Sequence, residues 1–250
     1  MKQSAFPLAV IGGTGLEALD EDAEPVRDSA ETPYGPASAV PRRLGAFPHA
    51  VFLNRHGEGH VLLPHEINYR ANIWLLNELG VEAIVAVFAV GGIKASLVDG
   101  TLALPAQMVD YTWGREHTFS THENLYHADF SEPFDADLRG RLIDAARGAG
   151  IPLVDHGVYG ATQGPRFETV AEIDRMERDG CTVVGMTAMP EAGLARELEI
   201  PYAGLCMVVN PAAGRGPAVL TVDDMRAAVA EAQPRLLRLL AEFLRSAERG

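Results

Sequence analysis

The chain has 250 residues, 47% of them hydrophobic, which is enough for a large core and too apolar for a disordered segment. A formal net charge of −13 argues against nucleic acid or an anionic membrane as partner, so any anionic ligand must find a local cluster of Arg, His and backbone N–H groups. Cys181 and Cys206 sit in apolar, strand-like surroundings and read as reduced thiols of a cytoplasmic protein rather than a disulfide framework. The apolar runs 6–11 and 83–90 are too short for a signal peptide and a bilayer span. With no repeat, low-complexity tract or linker, one domain over residues 1–250 is expected.

In chain order, residues 8–11 (Leu-Ala-Val-Ile) read as a buried strand that opens into Gly12-Gly13-Thr14-Gly15. Such a turn offers backbone N–H groups to phosphate, although a plain tight turn fits equally well; it has neither the dinucleotide G-x-G-x-x-G spacing nor a P-loop Lys. The acidic, Pro-containing stretch 20–36 reads as loop. A second buried strand, 50–53, delivers Arg55-His56-Gly57, a planar cation beside a titratable ring that suits phosphate. Helix is expected over 68–79, with Ala71, Trp74, Leu75 and Leu79 inward. Residues 81–90 are apolar on both faces and read as a central strand ending at Gly91-Gly92, and 102–112 read as another strand.

The segment 113–133 carries His117, His122, His127 and Tyr126 without helical period and is expected to be a long functional or interfacial loop. Helix 135–149 and strand 154–161 follow. The chain then turns at Gly164-Pro165 and restarts as helix at Thr169, with Glu172 completing a capping box. Just before that cap stand Phe167 and Glu168, a ring and a carboxylate that together suit a flat ligand with N–H edges, or else a core Phe beside a solvated Glu. Strand 182–185 leads to Met186-Thr187 and a short helix from Pro190-Glu191. Strand 202–209 leads to Asn210, and a final amphipathic helix from about Thr221 is expected to kink at Pro234.

Each of five strand exits thus presents a polar group: Thr14, Arg55, Glu168, Thr187 and Asn210. Ligands of open α/β sheets bind where strands run out. Two other readings compete for part of this pattern. Arg55-His56-Gly57-Glu58 is similar to the histidine phosphatase signature, in which the His is phosphorylated, although that motif normally follows a first strand. His56, His60 and His65 invite a metal, but Gly57, Gly59 and Pro64 prevent a helix from aligning them, so no metal is expected.

Taken together, Gly12-Gly13-Thr14-Gly15-Leu16, Arg55-His56-Gly57, the Asn68–Asn72 run, the Gln163–Glu172 run and the Gly185–Glu191 run resemble the trimeric purine nucleoside phosphorylase and methylthioadenosine phosphorylase family, from Gly12 to about Met225. The resemblance implies a single-domain α/β fold with a mixed central sheet flanked by helices. It implies a homotrimer, and phosphate-dependent cleavage of a purine nucleoside without metal or organic cofactor. It also implies that Thr14, Arg55, His56, Thr187 and the Ala89 backbone N–H bind phosphate, and that Met186 lies under the ribose. Phe167, Glu168, Asn210 and Gly91 surround the base, and His127 reaches a neighbouring subunit's 5′ site. The family usually has a small polar residue before Ala89, where this chain has Phe88.

Which nucleoside enters follows from hydrogen-bonding chemistry. An ionised Glu168 accepts, so it fits N1–H of a 6-oxopurine and opposes N1 of adenine, while the Asn210 amide can donate to N7 or O6. Mispairing leaves buried polar groups unsatisfied, which discriminates by factors of about 10⁴ or more. The resemblance aligns Val222, with Met225 one turn on, to the position where the family's nucleoside phosphorylases carry a His for the 5′-hydroxyl; an apolar residue there favours methylthio. S-methyl-5′-thioinosine is therefore the expected substrate. Inosine or guanosine, methylthioadenosine, a histidine phosphatase using His56 and an inactive nucleoside-binding protein are the alternatives.

Overall fold

The computed structural model describes residues 6–13, 16, 22–216 and 222–248. Thr14, expected to meet phosphate, lies outside the described residues, as does the side chain of Val222.

The expected mixed α/β architecture is found. Strands β1 (Leu8–Gly12), β4 (Phe47–Asn54), β5 (Ala83–Gly92) and β10 (Tyr202–Pro211) form the parallel centre of a 10-stranded sheet. Short strands β2 (Glu24–Pro25) and β3 (Arg42–Leu44) extend one edge. On the other side β9 (Val183–Gly185), β8 (Val158–Ala161) and β7 (Gln107–Asp110) continue outward from the end of β5. Both faces of the centre are apolar because both are covered. One parity of side chains, including Val10, Val85, Leu205 and Met207, packs under helices α2 (Ala136–Gly148) and α5 (Val222–Glu248). The other, including Ile11, Ile84, Phe88 and Val208, packs under α1 (Tyr69–Glu78) and α4 (Glu191–Glu197). Helix α3 (Val170–Arg178) covers β9 through Ile173 and Met176.

Local chemistry sets the helix starts. Asn68 and Asp135 each accept a backbone N–H three residues on, and Thr169 and Glu172 form the expected reciprocal capping box.

Three expectations are corrected. The strand expected over 102–112 is two strands, β6 (Leu102–Ala103) antiparallel to β10 and β7 parallel to β8. Pro105, which has no N–H, falls between them. The strand expected from Val154 begins only at Val158, leaving Val154 in an isolated bridge to Ala103. Trp74 is half-buried and sits edge-on to Tyr34 rather than in the main core. Helix α5 continues through Pro234 as one element.

The register of β5 creates the opening that matters for function. On one side β5 pairs with β1 from Ala83 to Ala86, then with β9 from Gly91. Between these ladders, residues 87–90 have no strand neighbour on that side among the described residues. The N–H of Ala83 points toward β1, bonding Pro7 O, and that of Ile84 points toward β10, bonding Pro201 O. Alternation along the strand therefore aims the N–H of Ala89 into the gap. Ala89 is the exposed residue of an otherwise buried strand.

Candidate active site

A cavity of about 800 Å³ lies at this gap, where β4, β5 and β10 end. Of the expected site residues, Arg55, His56, Ala89, Gly91, Phe167, Glu168, Met186, Thr187, Asn210 and Met225 all line it. His127 does not; it is exposed on the long loop after β7. Phe88 and Asp99 also face the cavity, as does Asp224 beside Met225.

At one end sit Arg55, His56 and Thr187. Arg55 is buried, but much of its charge is already matched. Its Nε and Nη2 donate to Glu191 at 2.7 and 2.8 Å, and Nη1 donates to Val87 O at 3.1 Å. Glu191 is fully buried and also accepts from the Tyr202 hydroxyl at 2.7 Å. The Coulombic pull and hydrogen bonds of Glu191 outweigh burial, so the guanidinium's pKa is raised. A guanidinium has five N–H donors, so one on each terminal nitrogen is left for an anion. The ring of Phe88 lies under this cation, with Cζ 4.9 Å from its centroid. Phe88 thus contributes a cation–π contact beneath the guanidinium.

His56 stacks on His60 with centroids 4.1 Å apart, and its Nδ1 lies 2.8 Å from Leu62 O. That carbonyl can only accept, so Nδ1 carries the proton and Nε2 is left as an acceptor while the ring is neutral. Burial first, then the nearby Arg55 and His60, lowers its pKa from 6.5 to about 4, against the opposing Leu62 bond. Thr187 is buried, and its N–H approaches the Tyr159 hydroxyl at 3.5 Å.

At the other end are Phe167, half exposed, and the Glu168 and Asn210 side chains. Asn210 is buried where β10 bulges between Val208 and Asn210, and its Nδ2 donates to Pro211 O at 2.8 Å, which orients the amide. Gly91 packs closely beside it: a Cβ there would stand 3.3 Å from that Nδ2 and 3.1 Å from Val184 Cγ1, so both neighbours would have to give by a few tenths of an ångström. The Thr162 hydroxyl donates to Glu168 Oε1 at 2.7 Å. Gly164, at φ +63°, lets Met186 form the floor; a Cβ there would come within 2.6 Å of its sulfur.

Sequence reading missed Arg115, Thr162 and the partnership of Glu191. Arg115, buried and facing no carboxylate in its hydrogen bonds, donates to the carbonyls of Thr162, Gln163, Met186 and Met189. It thereby ties the exit of β8 to that of β9. Nothing periodic marks an Arg inside a long polar loop, whereas Glu191 was visible in its motif without its partner. Among the described residues, no group of three or more His, Cys, Asp or Glu could hold a metal, so the His56, His60 and His65 set forms no such cluster.

This arrangement gathers N–H donors and a carboxylate acceptor in one cavity. Comparisons with known proteins identify the family. The model of the Phosphorylase superfamily matches residues 7–245. A Pseudomonas syringae pv. tomato protein described as "Probable S-methyl-5′-thioinosine phosphorylase" is 49% identical over 241 residues, 94% of this chain and 97% of its own. A "6-oxopurine nucleoside phosphorylase" of Pyrococcus furiosus is 44% identical over 226 residues, covering 87% of this chain and 84% of its own. Among solved structures, a Schistosoma mansoni adenosine/methylthioadenosine phosphorylase variant in complex with methylthioadenosine superposes with a TM-score of 0.88. It is 30% identical, with 98% of this chain and 92% of that one covered. The histidine phosphatase reading is set aside: the chain belongs to the Phosphorylase superfamily and is a nucleoside phosphorylase.

Proposed function

We propose that the chain cleaves S-methyl-5′-thioinosine with orthophosphate, yielding hypoxanthine and 5-methylthioribose 1-phosphate. The observation that carries this reading is that Glu168 and Asn210 line the same cavity as Arg55, His56, Thr187 and the Ala89 N–H. As the glycosidic bond stretches, the ribose gains oxocarbenium character and the base gains negative charge. Asn210 donates to N7 or O6 while Glu168 accepts N1–H. Phosphate, held by the spare N–H groups of Arg55, the Ala89 N–H and the exit at Thr187, attacks C1′. A neutral His56 offers Nε2 to a P–OH, which suits hydrogenphosphate. The chemistry is positioning plus preorganised electrostatics, and no metal or organic cofactor enters.

The Pseudomonas syringae and Pyrococcus furiosus relatives support a 6-oxopurine base. Met225 on the cavity wall supports a methylthio group at the 5′ end. Asp224 beside it favours the second reading, inosine or guanosine, because a carboxylate can accept a 5′-hydroxyl. The active form in this reading is a cytoplasmic homotrimer. The exposed His127 does not line its own cavity and in this reading completes a neighbour's 5′ site.

The test is kcat/KM for S-methyl-5′-thioinosine, inosine and methylthioadenosine with phosphate present. The methylthio 6-oxo substrate is expected to lead. A lead for inosine overturns the 5′ assignment, and a lead for methylthioadenosine overturns the base assignment.

A further inference from the structure

We infer that Thr162 is a positioning residue that sets base recognition through Glu168; this rests on the reading of Glu168 as the base acceptor. Thr162 directly follows β8 and is itself fixed on both sides. Its N–H donates to Gly185 O at 2.8 Å and its carbonyl accepts from Arg115 Nη2 at 3.2 Å. Its side chain is buried, and its hydroxyl has two acceptors in reach: Glu168 Oε1 at 2.7 Å and Gly185 O at 3.3 Å. A hydroxyl has one proton, and the shorter, charge-assisted partner takes it. One carboxylate oxygen of Glu168 is thereby anchored to a rigid strand end and the other is left for a ligand.

The anchor is needed because Glu168 stands in a partition. It lines the main cavity and also a second, smaller one of about 240 Å³, whose walls include Arg166, Arg175 and the Thr162 side chain. Arg166 lies close enough to act electrostatically on Glu168. It is held by Glu172, which lines the same cavity, at 2.7 and 2.8 Å, so that wall offers Glu168 outlying N–H donors of a matched ion pair and of Arg175 rather than a committed partner. Without the Thr162 hydroxyl, the carboxylate has a competing orientation toward that wall. A β-branched residue suits a strand end whether or not it has a hydroxyl, so Thr162 separates the hydroxyl's role from packing.

The test compares Thr162→Val, which keeps shape, with Thr162→Ser, which keeps the hydroxyl. Both are assayed on whichever purine nucleoside the parent enzyme cleaves fastest. Thr162→Val is expected to lose on the order of 10- to 100-fold in kcat/KM for the nucleoside, the factor for one hydrogen bond to a charged group. KM for phosphate and the thermal midpoint should stay near the parent's, and Thr162→Ser should recover to within about threefold, since it restores the same bond. Hypoxanthine binding by calorimetry closes the cycle: Thr162→Val should weaken it in the parent and add nothing in a Glu168→Ala background. Parent-like activity of Thr162→Val, an equal loss in the Glu168→Ala background, or a parallel rise in phosphate KM would each overturn the inference. The parent's own substrate preference decides the functional reading separately; a parent that cleaves no purine nucleoside overturns both.

Discussion

Glu191 is the residue whose replacement is most informative, because Arg55 is buried at 2% exposure and Glu191 at 0%. Removing one member of such a pair leaves an uncompensated charge in the core, at a cost of about 3–5 kcal/mol. For a chain of this size each kcal/mol moves Tm by about 2–4 °C, so Glu191→Ala should lower Tm by roughly 6–20 °C. Part of that loss is a cavity, so Glu191→Gln is the sharper variant. It fills the same space but opposes one Arg55 N–H with its own amide donor and removes the charge. If charge pairing dominates, Gln should reproduce most of the loss seen with Ala. Replacing both partners with apolar residues (Arg55→Met with Glu191→Leu) should recover much of the stability, since well-packed apolar isosteres of buried pairs are often neutral. It should still abolish phosphate saturation. Thermal unfolding without phosphate, at one protein concentration, reads the first effect; the phosphate dependence of initial rates reads the second. A Glu191→Gln protein melting within about 2 °C of the parent, less than the shift of one kcal/mol, would refute the argument.

Two further predictions concern the site. His56 binds fewer protons folded than unfolded between its lowered pKa of about 4 and its ordinary 6.5. Its stabilising contribution is therefore full above 6.5 and is lost as pH falls through that window, by on the order of 3 kcal/mol. His56→Asn, which can still donate to Leu62 O, should flatten the stability-versus-pH curve between pH 6.5 and 4 relative to the parent; parallel curves would disprove the assignment. Asn210→Ala should cost on the order of 10²–10³ in kcat, as for loss of a preorganised donor to developing charge, and a loss below tenfold in single-turnover rates would remove Asn210 from the chemical step.

Local pattern made much of this protein legible in its sequence. Apolar runs ending in glycine or polar residues placed β1, β4, β5 and β10. Asn68, Asp135 and Thr169 each occupy the cap their residue type predicts. The strand exits named Arg55, Glu168, Thr187 and Asn210, and all four reach one cavity: Arg55 and Asn210 leave the parallel central strands β4 and β10, whereas Glu168 and Thr187 follow β8 and β9, which run antiparallel to β5 and join the sheet at its far end. Where reading failed locally, at Leu102–Thr112, Pro105 was visible but the change of pairing partner was not, since which strand lies alongside is not a local property.

What only the tertiary structure decided is how those groups are used. Arg55 and Glu191 are 136 residues apart and meet because β4 and α4 pack at the same end of the sheet. Their bond turns a cation that looked free into one with two donors to spare. Ala89 acquires its outward N–H from a gap between the ladders of β1 and β9, a register effect that no spacing in the chain encodes. Arg115 ties β8 to β9 through carbonyls, and carbonyls are the same in every residue. Periodicity and caps act over a few residues and leave a trace in sequence. Charge matching and backbone satisfaction across the fold depend on which distant groups are brought together, and that is settled only when the sheet closes around them.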